Sequence, residues 1–238
     1  MEQRNAPNEL NEEVKSLRLV LKPTSKEGLQ VGTKSDGKNY SVREHRMSFI
    51  FPEVWEKFMK SVKSKKAKLT FDILIQTGAR INEVRNVKLA DCDFERNTIR
   101  LRITKTKARK GETKGKPRTI PVNSKFMKRL KKHFDEKEFE GLIGILSTAA
   151  ANLALKRHLE KIGVQDYYMY SIHNIRKSHG NWLKIMGNLG LMKVDAMEIC
   201  LRLGHDYNTF LKDYGSSGVL SNKDIMLIKL LFPNLYQR

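Results

Sequence analysis

The chain has 238 residues, with 46 Lys plus Arg against 26 Asp plus Glu and a formal net charge of +20 at pH 7. That length allows one good core, or one domain with a basic appendage, and the charge suits a phosphate-rich partner, although ribosomal and membrane-surface proteins share it. Cys92 and Cys200, far apart and the only cysteines, speak against a disulfide framework or a zinc site and fit a reducing interior. No apolar run reaches membrane-spanning length, and the polar, mixed-charge stretch Met1 to Lys15 does not read as a signal peptide.

Residues 1 to about 47 are polar and basic, with Pro7, Pro23, Gly28, Gly32 and Gly37 among many Ser, Thr and Lys. They read as an arm or linker, with Leu19-Val20-Leu21 as a short strand or docking segment. A solvated tail and an arm wrapping DNA fit this stretch equally. Globular patterning begins near Met47. Pro52 suits the first residue of a helix, and Val54, Phe58 and Val62 make its apolar stripe. Lys60 to Lys66 forms a basic corner. A buried helix follows from about Lys66 to Gln76, broken at Thr77-Gly78. A third helix opens near Arg80 and turns Ile81, Val84 and Val87 inward.

The period then changes to alternation at residues 97–107 and 118–122, with Gly111 and Gly115 between them, which predicts a β-hairpin with a long basic tip. From Arg96 to Arg118 there are ten Lys or Arg against one acid, Glu112. Such a ribbon suits a phosphate backbone or a groove, and its bland alternative is a solvated loop. Arg102, Lys107, Arg109, Lys110, Lys114, Lys116 and Arg118 are the expected DNA contacts here, with Lys177 further on. After the hairpin the chain reads as helical. Phe126, Leu130 and Phe134 form one stripe; Ser147 or Thr148 caps a helix carrying Leu153, Leu155, Leu159 and Ile162. Ser171 caps another, holding Ile172, Ile175, Trp182, Leu183 and Met186. A further helix spans about Val194 to Leu203 and closes at Gly204. After Gly215-Ser216-Ser217-Gly218, the run Ser221 to Asp224 opens a last helix, about 221–232, apolar nearly all round, which wants burial at home or in a neighbouring subunit.

Four polar clusters stand on element boundaries. In Thr77-Gly78-Ala79-Arg80-Ile81-Asn82-Glu83, Arg80 opens a helix one turn before Glu83. An arginine there can face a phosphate; a plain surface pair is the alternative. Lys105, with Lys107 close behind, lies at the ribbon end, where an ammonium can protonate a leaving oxygen. His173-Asn174-Ile175-Arg176 puts an imidazole and a guanidinium one turn apart, and arginine matches two phosphate oxygens. His205 follows the Gly204 cap, and Tyr214 stands nine residues later.

Taken in order, these four clusters resemble the catalytic domain of the tyrosine recombinases, the group that includes phage and archaeal-virus integrases and the recombinases resolving chromosome dimers. The matching motifs are T-G-x-R-x-x-E, a hairpin Lys, H-x-x-R, and L-G-H followed by the Tyr, over about residues 48–238. The resemblance implies an α+β fold, mostly helical with a small antiparallel sheet. It implies that Arg80 and Arg176 clamp the scissile phosphate, that His173 and His205 hydrogen-bond it and assist proton transfer, and that Lys105 is the general acid. Tyr214 would attack and leave a 3′-phosphotyrosyl link, and Glu83 would support the site. No metal, ATP or other cofactor is implied. Double-stranded DNA is the implied partner, bound by a homo-tetramer that is a monomer or weak oligomer when free. A cytoplasmic, nucleoid-associated and not secreted protein is expected, with no membrane partner.

Departures accompany the likeness. Lys177 stands where a His is common, leaving His179 as a stand-in or a structural residue, and Tyr207 lies too near His205 to be the nucleophile. The long hairpin tip leaves Lys105 against Lys107 open, with Lys105 preferred for its Lys-Thr at the strand end. The short polar front stands where relatives carry a DNA-clamping domain, so the chain is either truncated or has a reduced clamp. The competing readings are a DNA-binding regulator or architectural protein on the same fold, a type IB topoisomerase, and a basic RNA-binding protein. The last lacks an aromatic stacking pattern.

Overall fold

A computed structural model describes residues 30–33, 39–42, 50–102, 117–136, 141–165, 167–204, 207 and 220–233. Two compact units hold these residues. The first contains an antiparallel ribbon of β1 (Gln30–Thr33) and β2 (Asn39–Val42), with Gln30 opposite Val42 and Thr33 opposite Asn39. The sequence reading gave this stretch as an arm or linker and did not single out the hairpin. In sequence, β-formers Val31, Tyr40 and Val42 flank an Asp-Gly pair, a hairpin signal that the surrounding polar composition hides. Residues 165 and 167–170 belong to the same unit. The expected segment Leu19-Val20-Leu21 lies outside the described residues.

The second unit is built on helices. α1 (Pro52–Ser61) begins with Pro at its first turn, as its fixed φ favours. It buries Trp55 and Phe58, and Val62 just beyond its end, while Val54 is only half-buried. The larger apolar face of Trp55 wins the core position that the spacing assigned to Val54. α2 (Lys65–Thr77) starts at Ser64, whose side chain accepts from the Ala67 N–H, and ends at Gly78 with φ 62°. Ile73, Leu74 and Ile75 are all buried, so this helix runs through the interior. α3 (Ile81–Arg85) follows at once.

A three-stranded antiparallel sheet comes next, in the order β3 (Cys92–Asp93), β4 (Thr98–Leu101), β5 (Arg118–Pro121). Ile99 pairs with Ile120, and both face the core. β3 was not expected: two residues are too few to show a period. The hairpin tip, 103–116, lies outside the described residues.

α4 (Ser124–Asp135) buries Phe126, Met127, Leu130 and Phe134 and leaves its lysines in solvent. α5 (Thr148–Lys161) is capped by Ser147 and buries Ala151, Leu155 and Leu159. Leu153, expected in its stripe, is 50% exposed, since it points away from the Ala151–Leu155–Leu159 line. α6 (Ile172–Asn188) is the central helix and packs on α2. Trp182 is fully buried, sets its ring edge-on to Trp55 at 6.4 Å, and donates from Nε1 to the Ile50 carbonyl at 3.0 Å. α7 (Ala196–Leu203) has Asp195 as its cap and ends at Gly204, φ 62°. No helix of the described residues is long and apolar enough to cross a membrane.

The last helix, α8 (Asn222–Leu231), packs one face on α1 and buries Ile228 there, while Met226 and Leu230 stay exposed at 58% and 67%, so only part of its apolar surface is covered within the chain. Asp224, 3% exposed, holds the joint: it accepts from the Ser221 N–H at 3.1 Å, the Ser221 hydroxyl at 2.9 Å and the Glu53 N–H at 2.9 Å. At the far end, amide groups of Gln76 and Asn123 donate to the Leu231 and Leu230 carbonyls at 3.0 Å each. These are the orphan carbonyls of a helix C-terminus, satisfied by side chains from elsewhere in the fold. Asp224→Ala is expected to destabilise the protein by about 1–3 kcal/mol, since it strands a buried N–H at α1 as well as the cap. Thermal unfolding checks it; an unchanged Tm would show that the Asp224 junction carries none of the fold's stability.

Candidate functional site

Two helices end on left-handed glycines, Gly78 after α2 and Gly204 after α7. Both endings leave carbonyls without helical partners. Arg176, in the second turn of α6 and 1% exposed, fills that need. Its Nη1 donates to the Gly78 carbonyl at 2.7 Å, and its Nη2 donates to the Leu203 carbonyl. The guanidinium therefore sits at the negative ends of two helix dipoles, which favour a fixed cation. Both glycines are needed where they are. A Cβ at Gly78 would come within 2.5 Å of the His179 ring, and one at Gly204 within 3.1 Å of Arg118.

Glu83 forms the second part. It is 3% exposed and accepts at three places. Its carboxylate takes the Arg80 N–H at 2.8 Å, closing the start of α3, and receives both arms of the Arg118 guanidinium at 3.2 and 2.7 Å. The Arg80 guanidinium stands 3.6 Å from the same carboxylate and remains 39% exposed, the orientation a phosphate-facing arginine needs. Burial alone would push the Glu83 carboxyl up. The Arg118 fork, the Arg80 N–H and the nearby Arg176 charge outweigh it and hold the pKa below the usual carboxylate range. The stability Glu83 contributes is thus present in full above the ordinary carboxylate range and is lost as pH falls through its depressed folded pKa.

Arg118 is turned inward rather than along the exposed ribbon where a DNA contact was expected: its side chain is 11% exposed. Besides Glu83, its Nε donates to the Arg202 carbonyl at 2.7 Å. Arg202 returns the contact, donating from Nη1 to the Pro121 carbonyl at 3.4 Å. Two arginines thereby clasp β5 to α7. Arg102, the other expected DNA contact of the ribbon among the described residues, stands just past the end of β4, places Nε and Nη2 on Asp91 Oδ1 at 3.0 and 2.8 Å and stays 56% exposed.

His173 lies in the first turn of α6 with its own side chain exposed, three residues before Arg176, and Lys177 is half-buried one turn on. The cap is a Ser171–Asn174 box: Asn174 Oδ1 accepts the Ser171 N–H at 2.9 Å. Asn152 of α5 takes the Ile172 N–H at 2.8 Å and fixes where the helix starts. Lys105, Lys107, Arg109, Lys110, Lys114, Lys116, His205 and Tyr214 lie outside the described residues. Gly204 is described and directly precedes His205. Tyr207 is half exposed.

His179 is structural. It is fully buried, and Nδ1 donates to the Ile75 carbonyl at 2.7 Å, while its ring meets Phe232 edge-on at 5.2 Å. Burial pushes its pKa down from 6.5 to about 3. In that interval the folded protein binds fewer protons than the unfolded chain, so stability falls as pH drops. A slope of up to about 1.4 kcal/mol per pH unit is expected from this one group. His179→Phe should remove that slope while costing stability at neutral pH, because the Ile75 carbonyl loses its donor. Chemical denaturation at several pH values reads both effects; a slope that survives the substitution would place its origin elsewhere.

Sequence reasoning missed Arg118 and Arg202 as site-building residues. The signal available was their company: each adjoins a site motif, but their partners are 35 and 84 residues away.

The model of the phage integrase family matches residues 48–215. Among solved structures, the XerH site-specific recombinase bound to its difH substrate is 19% identical, over 82% of this chain and 58% of that one, with a TM-score of 0.55. The XerA recombinase is 16% identical over 79% and 65%, TM-score 0.58. The Tn1549 transposon integrase in complex with transposon right end DNA is 16% identical over 82% and 69%, TM-score 0.56. The chain thus spans less than two thirds of the length of the two Xer proteins. These likenesses show the fold: a mostly helical catalytic domain with a small antiparallel sheet, as in the tyrosine recombinases. No curated protein matches the chain in sequence.

Proposed function

Since the chain belongs to the phage integrase family, we propose that it is a site-specific DNA recombinase that cuts and rejoins strands through a 3′-phosphotyrosyl intermediate. The observation that carries this reading is the buried Arg176 held by two helix ends, with Arg80 tied alongside through Glu83. Two fixed guanidiniums on rigid supports are what a phosphoryl group gathering negative charge requires. Their positions do not have to reorganise as the reaction proceeds.

In this reading the Tyr214 oxygen attacks phosphorus and the bond to the 5′-oxygen breaks. Lys105 gives its proton to that oxygen, while His173 and His205 hold the phosphate and take part in proton transfer. The phosphodiester energy is kept in the tyrosyl ester, so a 5′-hydroxyl can reverse the step on the same or another strand without ATP. Charge stabilisation comes from side chains. The XerH and Tn1549 structures hold DNA, and double-stranded DNA is the partner proposed here. Arg102, Lys107, Arg109, Lys110, Lys114, Lys116 and Lys177 supply backbone contacts. Four copies assemble on DNA from a monomeric or weakly associated form inside the cell, and residues 1–47 act as a basic arm ahead of the catalytic domain at 48–238.

The test is a selection. Full-length protein is mixed in EDTA with a pool of randomised duplexes carrying a 5′-bridging phosphorothiolate, and DNA that stays attached through SDS is sequenced. Recovery of a defined sequence is expected; no attached DNA would contradict the reading. The same substrate identifies the acid. A thiolate leaves without a proton, so Lys105→Ala should lose about 10²–10⁴-fold on an ordinary phosphodiester and recover on the sulfur analogue. Recovery shown by Lys107→Ala instead would move the role to Lys107. Binding should also weaken steeply with salt.

A further inference from the structure

Arg118 occupies the junction of three elements. One face of its guanidinium is committed to Glu83, which closes the turn bearing Arg80. Its Nε is committed to the Arg202 carbonyl, two residues before Gly204, after which His205 follows. Gly204 lies so close over the guanidinium that a Cβ there would stand 3.1 Å from Nη1. Arg202 fastens the same end of α7 back onto β5 through the Pro121 carbonyl. Arg118 therefore has little side chain left for solvent. We propose that Arg118 is a positioning residue that sets the Arg80 turn and the Gly204 end of α7, from which the chain continues to His205, at a fixed separation across the scissile phosphate, through its fork on Glu83 and its Nε on α7. The proposal rests on the recombinase reading above.

The physical reason is the shape of the group. Arginine offers donors in one rigid plane, so two of them can seat on a carboxylate while Nε reaches a third acceptor. Lysine keeps the charge but has one nitrogen and cannot span these acceptors together. The site then retains its cations while the distance between the two turns is no longer fixed. Near-attack geometry is sensitive to displacements of about 1 Å, which cost on the order of a hundredfold. A DNA-backbone role makes the opposite forecast, because a lysine serves as a point charge on a phosphate almost as well.

The experiment compares full-length wild type, Arg118→Lys, Glu83→Gln and the double variant on the phosphorothiolate duplex recovered by the selection. Single-turnover cleavage at saturating DNA, DNA affinity and Tm are measured, with amide hydrogen exchange at Leu203 and Gly204 in the free protein. Expected for Arg118→Lys are cleavage slower by about tenfold to a hundredfold, affinity within about twofold, and faster exchange at Leu203 and Gly204. The double variant should be no slower than the worse single one, since both remove the same link. Cleavage at the wild-type rate in Arg118→Lys overturns the proposal. So does a loss of affinity in step with cleavage, with a shallower salt dependence, which would make Arg118 a phosphate contact. A slowing matched by a fall in Tm and cured by cooling also overturns it, since that is a purely structural role. A wild type that cleaves nothing fails the recombinase reading, and the proposal with it; a failure belonging to Arg118 alone shows wild-type cleavage intact.

Discussion

Tyr214→Phe is expected to abolish the SDS-resistant DNA adduct while leaving DNA affinity within a few fold. The substitution removes one oxygen and nothing else. If that oxygen is the atom that bonds to phosphorus, no other group can take its place at the same geometry, and the residual rate should fall below detection. In the proposed reading, binding energy comes from the lysines and arginines along the ribbon and from the clamp, which the ring does not supply. Tyr207, two residues beyond His205 and half exposed, should tolerate the same change with little effect on the adduct. An adduct that persists in Tyr214→Phe and vanishes in Tyr207→Phe would reverse the assignment.

Arg176 is expected to show the second large effect, and two substitutions separate its two roles. Arg176→Ala removes the guanidinium that donates to the Gly78 and Leu203 carbonyls at the ends of α2 and α7 and opens a cavity in the core. A cost of about 2–5 kcal/mol is expected, a large part of the stability of an ordinary domain. Arg176→Lys keeps the charge and can reach one carbonyl. It should fold, bind DNA within a few fold, and cleave about 10²–10³-fold more slowly, because a planar fork seated on both helix ends is replaced by a point charge that can hold only one of them. Thermal unfolding, equilibrium binding and single-turnover cleavage on both variants check these outcomes. Equal losses of cleavage and affinity in Arg176→Lys would make the residue a binding contact.

Much of the fold is legible in local sequence because its helices carry their own start and stop signals. Ser147, Ser171, Ser221, Gly78 and Gly204 all mark ends where the structure has them. The apolar stripes of α2, α4 and α6 likewise follow from spacing. What escapes is whatever depends on a distant partner. Two-residue β3 exists only because β4 lies beside it. Trp55 outranks Val54 for the core because Trp182, far along the chain, is there to meet it.

The site divides the same way. Arg80, Glu83, His173 and Arg176 can be picked out because the motifs fix their order. The purpose of Arg118 cannot, because a basic ribbon gives every arginine the same appearance. Only the fold shows that Arg102 stays exposed while reaching back to the buried Asp91 carboxylate, and that Arg118 turns inward to Glu83 and α7. His179 gives a similar lesson: near a missing family histidine in sequence, it is packed in the core against Ile75 and Phe232.

The most direct test of the central claim is to find which atom of the protein carries the DNA. The phosphorothiolate adduct is digested with nuclease and protease, and the modified peptide is sequenced by mass spectrometry. A 3′-phosphonucleotide on the oxygen of Tyr214 is the predicted result. The same modification on Tyr207 or on a serine, or DNA recovered with no covalently modified residue, would contradict it.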